Sequence, residues 1–153
     1  MTSAIRLIDH LVAHELEANS AEQALEKIAQ RGDVAGLFKS TWLEAVIKRE
    51  SEFPTGLPTL IPVAIPHTDS VHVNADGVGF FKLKNPIEFG EMGSLDDKVQ
   101  VKMILPLLIT NPAEQVDLLM AVIGALQNTD FLNALNVASS SEEIISIFRG
   151  AGL

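Results

Sequence analysis

Hydrophobic and polar positions along the chain fall into alternating blocks of helical and strand-like period. Ser20, with Gln23 three residues on, forms a capping box, and Ala24, Leu25 and Ile28 follow as an apolar stripe, predicting a helix that ends near Gly32. Trp42, Leu43, Val46 and Ile47 repeat the helical spacing. They predict a second helix from Ser40 or Thr41, with Lys48 and Arg49 in the last turn, where cations complement the dipole. Phe53 to Pro58 carries proline or glycine at every second position and is read as a loop. Val63 to Ile65 is short, apolar and bounded by Pro62 and Pro66, the signature of a buried strand ending at an edge or loop. Gly77 to Leu83 reads as another strand, Ile87 to Phe89 as a short one, and Gly90 to Asp97 as a turn-rich connection. Val99 to Ile109 is a continuous apolar run suited to a central strand, except that Pro106 demands a bulge, an edge or a strand end.

The ends of the chain follow the same logic. Leu7 to Leu16 alternates poorly and is read as a strand around His10 to Glu15 preceded by a loose arm. Asn111-Pro112-Ala113-Glu114 is a helix start, with asparagine as cap and proline in the first turn, and Val116, Leu119, Met120, Ile123 and Leu126 supply the expected buried stripe. A short helix over Thr129 to Leu135 and a last one capped by Ser140 and Glu143, carrying Ile144, Ile145, Ile147 and Phe148, complete the pattern. No repeat or linker divides the 153 residues, so the expectation is a single α/β domain with a mixed β-sheet flanked by helices.

Composition narrows the chemistry. Hydrophobic residues make up 47%, enough for an ordinary core, and the absence of cysteine removes disulfides, thiolate metal sites and thiol nucleophiles. Eleven basic against twenty acidic residues give a formal charge of −9, which repels phosphate backbones and argues against nucleic-acid binding. The first twenty residues carry Asp9, Glu15 and Glu17 and no long apolar run, so neither a signal peptide nor membrane insertion is expected, and the expected location is the cytoplasm.

The candidate chemistry gathers at His67, delivered at the end of the Val63–Ile65 strand by the stiffening Pro66. An imidazole in such a place serves as a base, a metal ligand or a nucleophile, or is simply structural. A serine triad lacks its Gly-x-Ser-x-Gly elbow, and no glycine-rich loop ending in lysine and serine or threonine points to direct use of ATP. His67, Asp69 and His72 have the right types for zinc or manganese but complete no recognised ligand spacing. His10 and His14 lack the His-Glu-x-x-His pattern and are read as partly exposed structural residues. The remaining option is phosphoryl acceptance on a ring nitrogen, for which Arg49 supplies a forked donor and the amides near Pro112 an anion-friendly helix start.

Arg49-Glu50-x-x-Phe53-Pro54-Thr55-Gly56, followed by Ala64-Ile65-Pro66-His67, resembles the enzyme IIA domains of the fructose and mannitol class of the bacterial phosphotransferase system. The paired motifs are specific together, and the resemblance covers nearly the whole chain, consistent with one IIA domain over residues 1–153. The Phe-Pro-Thr-Gly wording and Asn111-Pro112-x-x-Gln115-x-x-Leu118-Leu119 look most like the galactitol-type branch. The resemblance implies a cytoplasmic phosphocarrier that needs no cofactor. In it, His67 accepts phosphate from phospho-HPr and passes it to a cysteine of a IIB partner, which acts with the membrane component IIC. It further implies Arg49 beside the active histidine, Thr55 as a motif threonine and Gln115 at the position where many members carry a second histidine. An amide there can hydrogen-bond but cannot carry an imidazole's charge. Two other readings stay open: a regulatory module like the nitrogen-related enzyme IIA, whose usual glycine-rich run is replaced here by Leu60-Ile61-Pro62, and a metal-dependent hydrolase using His67, Asp69 and His72.

Overall fold

A computed structural model describes residues 6–153. Six strands form one mixed sheet: β1 (Leu7–Leu16), β2 (Gly56–Leu57), β3 (Val63–Ala64), β4 (Gly77–Gly90), β5 (Lys98–Ile104) and β6 (Leu107–Leu108). Their order is β1-β4-β5-β3-β2, with β6 beside β4. β1 runs parallel to β4 and β3 parallel to β5, whereas β4–β5, β2–β3 and β4–β6 are antiparallel.

Period-two alternation divides the core between the two faces of this sheet. Val63 and Ile65, Phe80 and Met103 point to one face, where α3 (Gln115–Leu126), α4 (Thr129–Val137) and α5 (Ser141–Gly150) cover them with Leu118, Val122, Leu132 and Phe148. Ala64, Phe81 and Ile104 point to the other, packed under α1 (Ala21–Val34) and α2 (Trp42–Glu52) through Leu25, Ile28, Trp42 and Val46. The expected single domain with a mixed sheet flanked by helices is what the chain forms. Both capping boxes close: the Gln23 amide donates to Ser20 Oγ at 3.1 Å, and the Glu143 amide to Ser140 Oγ at 3.1 Å.

Four elements differ from their expected form. Strand β1 begins at Leu7, so the anticipated loose arm before His10 is already sheet, tied at its first residue to the Leu153 carbonyl; His10 and His14 lie on it, exposed. The proline- and glycine-rich segment expected to be a loop contains β2, two residues held by pairing with β3. The two strands expected over 77–83 and 87–89 are one, β4, whose register slips between Lys82 and Ile87 so that exposed Lys84, Asn85 and Pro86 bulge from the ladder. Finally, α3 buries Leu118, Val122 and Leu126 and leaves Val116 and Met120 exposed, because a helix apolar on most sides offers more than one stripe and packing chooses between them.

Pro106 acts as anticipated and splits the apolar run. It separates β5 from β6, while its carbonyl still accepts from the Gly79 amide at 2.9 Å, so the sheet continues across it.

Candidate functional site

The site begins where β3 leaves the sheet. On one side of the β3 segment the parallel ladder runs past the strand end, with Lys102 donating to the Pro62 carbonyl, Leu105 to Ala64 and Leu107 to Pro66. Those bonds hold the peptide just before His67. On the other side, the antiparallel pairs Leu57–Val63 and Gly56–Ala64 place Thr55 opposite Ile65, and the Ile65 amide donates to the Thr55 carbonyl at 3.3 Å. A regular ladder would return a bond from the Thr55 amide to the Ile65 carbonyl. Here the Thr55 amide donates instead to Glu50 Oε1 at 2.8 Å. The Ile65 carbonyl is thereby left for a different donor, Nδ1 of His67, at 2.8 Å.

That bond defines the imidazole's chemistry. A carbonyl oxygen only accepts, so Nδ1 carries the proton and Nε2 holds the free lone pair. His67 is 8% exposed, and burial, joined by the nearby Arg49 charge, pushes its pKa below the ordinary imidazole value even though the Ile65 bond acts the other way. The ring is therefore neutral at pH 7 and nucleophilic at Nε2.

Arg49 comes from the last turn of α2, as the sequence places it. Its guanidinium lies 5.2 Å from the centre of the Phe53 ring, and its buried Nε has no hydrogen-bond partner among the described residues. An unsatisfied buried cationic donor is costly unless something anionic arrives to meet it. Arg49, Phe53, Pro54, Thr55, His67 and Leu119 line a cleft of about 340 Å³, together with the turn Met92–Leu95. That turn is fastened to β2, the Met92 amide donating to the Gly56 carbonyl at 2.8 Å. Gly56 is needed there: a Cβ on it would stand 2.6 Å from the Gly90 carbonyl oxygen.

Thr55 is buried, and both its amide and its hydroxyl donate to Glu50, the hydroxyl lying 3.0 and 2.9 Å from the two carboxylate oxygens. Burial raises the Glu50 pKa to about 7, against the opposing effects of Thr55 and Arg49. Glu50 belongs to the sequence motif, yet no role for it was legible there, because its partner is created only when the chain folds back after Phe53. The Met92–Leu95 wall and Leu119 likewise left no local signal.

The structure unites His67, Arg49 and Thr55 at one cleft. Gln115 opens α3, one turn before Leu119, and is not among the residues lining the cleft. Asp69 and His72 face a separate groove on the other side of Arg49, with Lys48 and Thr68, and His72 Nδ1 is 2.7 Å from Thr41 Oγ1. Among the described residues no three histidine, aspartate or glutamate side chains gather to hold a metal ion, so His67, Asp69 and His72 do not form the metal site considered from sequence.

Residues 7–150 match the family model described as "Phosphoenolpyruvate-dependent sugar phosphotransferase system, EIIA 2". The chain belongs to this family. As an EIIA it is a component of a phosphotransferase system. It is 33% identical over 101 residues to the galactitol-specific EIIA component of Escherichia coli K12, an overlap covering 65% of this chain and 67% of that protein. Its fold is that of IIA mannitol from Escherichia coli (TM-score 0.76, 20% identity, 94% of this chain and 99% of that one). The same fold appears in the complex of enzyme IIA with phosphorylated enzyme IIB of the Escherichia coli mannitol system (TM-score 0.75, 21% identity, 95% and 99% covered). In that complex the mannitol IIA has IIB as its partner. Among the described residues of the present EIIA no single helix is long and apolar enough to cross a membrane.

Proposed function

We propose that this EIIA is a cytoplasmic phosphohistidine carrier: His67 Nε2 accepts a phosphoryl group from phospho-HPr and passes it to a cysteine of IIB, which serves the IIC membrane component. The observation that carries the reading is the Nδ1–H bond to the Ile65 carbonyl, which leaves one nitrogen lone pair at a cleft beside an unpartnered arginine donor. In the transfer the donor's P–N bond breaks as the Nε2–P bond forms. The His67 ring becomes positive because Nδ1 keeps its proton, and the Ile65 carbonyl steadies that charge. A positively charged ring is a good leaving group, so the phosphoryl group remains transferable. Arg49 meets the phosphoryl oxygens from the side, with Thr55 as a second contact and Gln115 as a more distant amide. No cofactor is needed for these steps.

Exposed Phe53 and Leu95 at the cleft, and Val116 and Met120 on the helix that carries Leu119, give its mouth an apolar rim suited to brief docking of IIB. The likeness to a galactitol-specific EIIA supports galactitol or a related polyol as the sugar served, although selection would rest with the partners.

The test is phosphotransfer from phosphoenolpyruvate through enzyme I and HPr, read by intact mass. Wild type is expected to gain one acid-labile phosphoryl group and His67→Ala none. Absence of the gain in wild type, with HPr itself phosphorylated, overturns the reading.

A further inference from the structure

We propose that Glu50 is a positioning residue for phosphoryl transfer, taking up a proton as the phosphoryl group reaches His67 and so turning the Thr55 hydroxyl from itself toward that group. The inference rests on the carrier reading and concerns a residue that reading does not use.

The geometry contains a two-way hydrogen bond. Thr55 Oγ1 lies within 3.0 Å of both Glu50 oxygens while also lining the cleft that holds His67. As a carboxylate, Glu50 only accepts, so the threonine's single hydroxyl proton is committed to it. As an acid, Glu50 has an O–H that donates to Thr55 Oγ1. The threonine's own proton is then free for a phosphoryl oxygen in the cleft. The Thr55 amide bond to Oε1 survives in either state. The Ile65 carbonyl consequently stays on His67 Nδ1 throughout.

Charge sets the direction of the switch. Transfer brings net negative charge into the cleft, which favours the protonated form of a nearby acid. Burial has already raised Glu50 to about 7, so a modest added field shifts its population near neutral pH. The charged groups around it come from four elements: Arg49 on its own helix, and Glu22 of α1, Glu88 of β4 and Lys98 of β5, which share a groove on its other side. That groove, about 250 Å³, opens Glu50 to solvent away from His67 and gives the proton its path. The step balances: the donor's P–N bond breaks, Nε2–P forms, Nδ1 keeps its hydrogen, and solvent supplies the proton to Glu50.

The experiment follows the Glu50 side-chain carboxyl by 13C NMR against pH, in the free and phosphorylated full chain, with proton uptake measured by indicator dye in weak buffer. For wild type the Glu50 titration is expected to move up by about one pH unit on phosphorylation, with uptake of roughly half a proton per phosphoryl group near pH 7.5. In Glu50→Gln, whose amide donates to Thr55 Oγ1 at every pH, that uptake is expected to vanish. An unmoved wild-type titration overturns the proposal, as does undiminished uptake in Glu50→Gln. So does failure of a folded Glu50→Gln to accept phosphate under conditions where wild type does. If wild type accepts no phosphate at any pH, the carrier reading itself falls, an outcome distinct from phosphorylation without a Glu50 response.

Discussion

Replacing Glu50 by glutamine should change how the stability of this EIIA depends on pH, whatever its partners are. Burial lifts the Glu50 pKa from 4.5 to about 7 in the folded chain. Between those values the folded state binds more protons than the unfolded one, so stability falls as pH rises through this window. At about 1.36 kcal/mol per pKa unit, the full shift corresponds to about 3 kcal/mol, present below pH 4.5 and lost by about pH 8. Glutamine keeps an acceptor for the Thr55 amide and does not titrate. Urea unfolding at intervals from pH 4 to 8.5 should therefore show wild type losing about 3 kcal/mol relative to Glu50→Gln as pH rises, a large part of a typical domain's stability. A flat difference would mean that the carboxylate is not penalised by burial. A difference of opposite sign would mean that the Thr55 bonds outweigh desolvation and hold Glu50 as an anion, refuting the electrostatic reasoning.

Other expectations concern the cleft and its walls. Arg49→Lys keeps the charge but loses the forked donor and its approach to the Phe53 ring, and should slow phosphoryl acceptance by roughly 10²-fold in quenched-flow assays. On the acid side the acceptance rate should fall only along a limb lying below the ordinary imidazole value, since His67 is held neutral; an acid limb above 6.5 in stopped-flow measurements would contradict that. Gly56→Ala drives a methyl against the Gly90 carbonyl oxygen and should cost about 1–3 kcal/mol, read as a lowered Tm.

What could be read from the sequence was what is encoded locally. The Ser20 and Ser140 capping boxes, the Asn111 cap and the proline-bounded strand before His67 depend on neighbours a few residues away, and all appear as expected. The placement of Arg49 beside His67 is not local; it was reached through the paired motifs of the family. Elements decided by distant partners escaped. Two residues, Gly56 and Leu57, become a strand only because Val63 and Ala64 lie opposite. Strand β4 runs through Lys84, Asn85 and Pro86 because β5 pairs with it on both sides of the bulge. The buried stripe of α3 was ambiguous in a helix with so few polar positions, and the role of Glu50 depends on a hydrogen bond that exists only after the turn at Phe53 and Pro54 has formed.

The bond between His67 Nδ1 and the Ile65 carbonyl also constrains the order of events. In the proposed carrier, with one ring nitrogen of His67 occupied by the backbone and the other left for the cleft, donor and acceptor would use the same doorway in turn. A ternary complex with both bound is excluded for a carrier built this way. Its kinetics are then of the double-displacement type, with parallel double-reciprocal lines and each partner inhibiting competitively when in excess over the other. Each displacement at phosphorus proceeds with inversion, so an isotopically chiral phosphoryl group that enters and leaves through this site emerges with its original handedness.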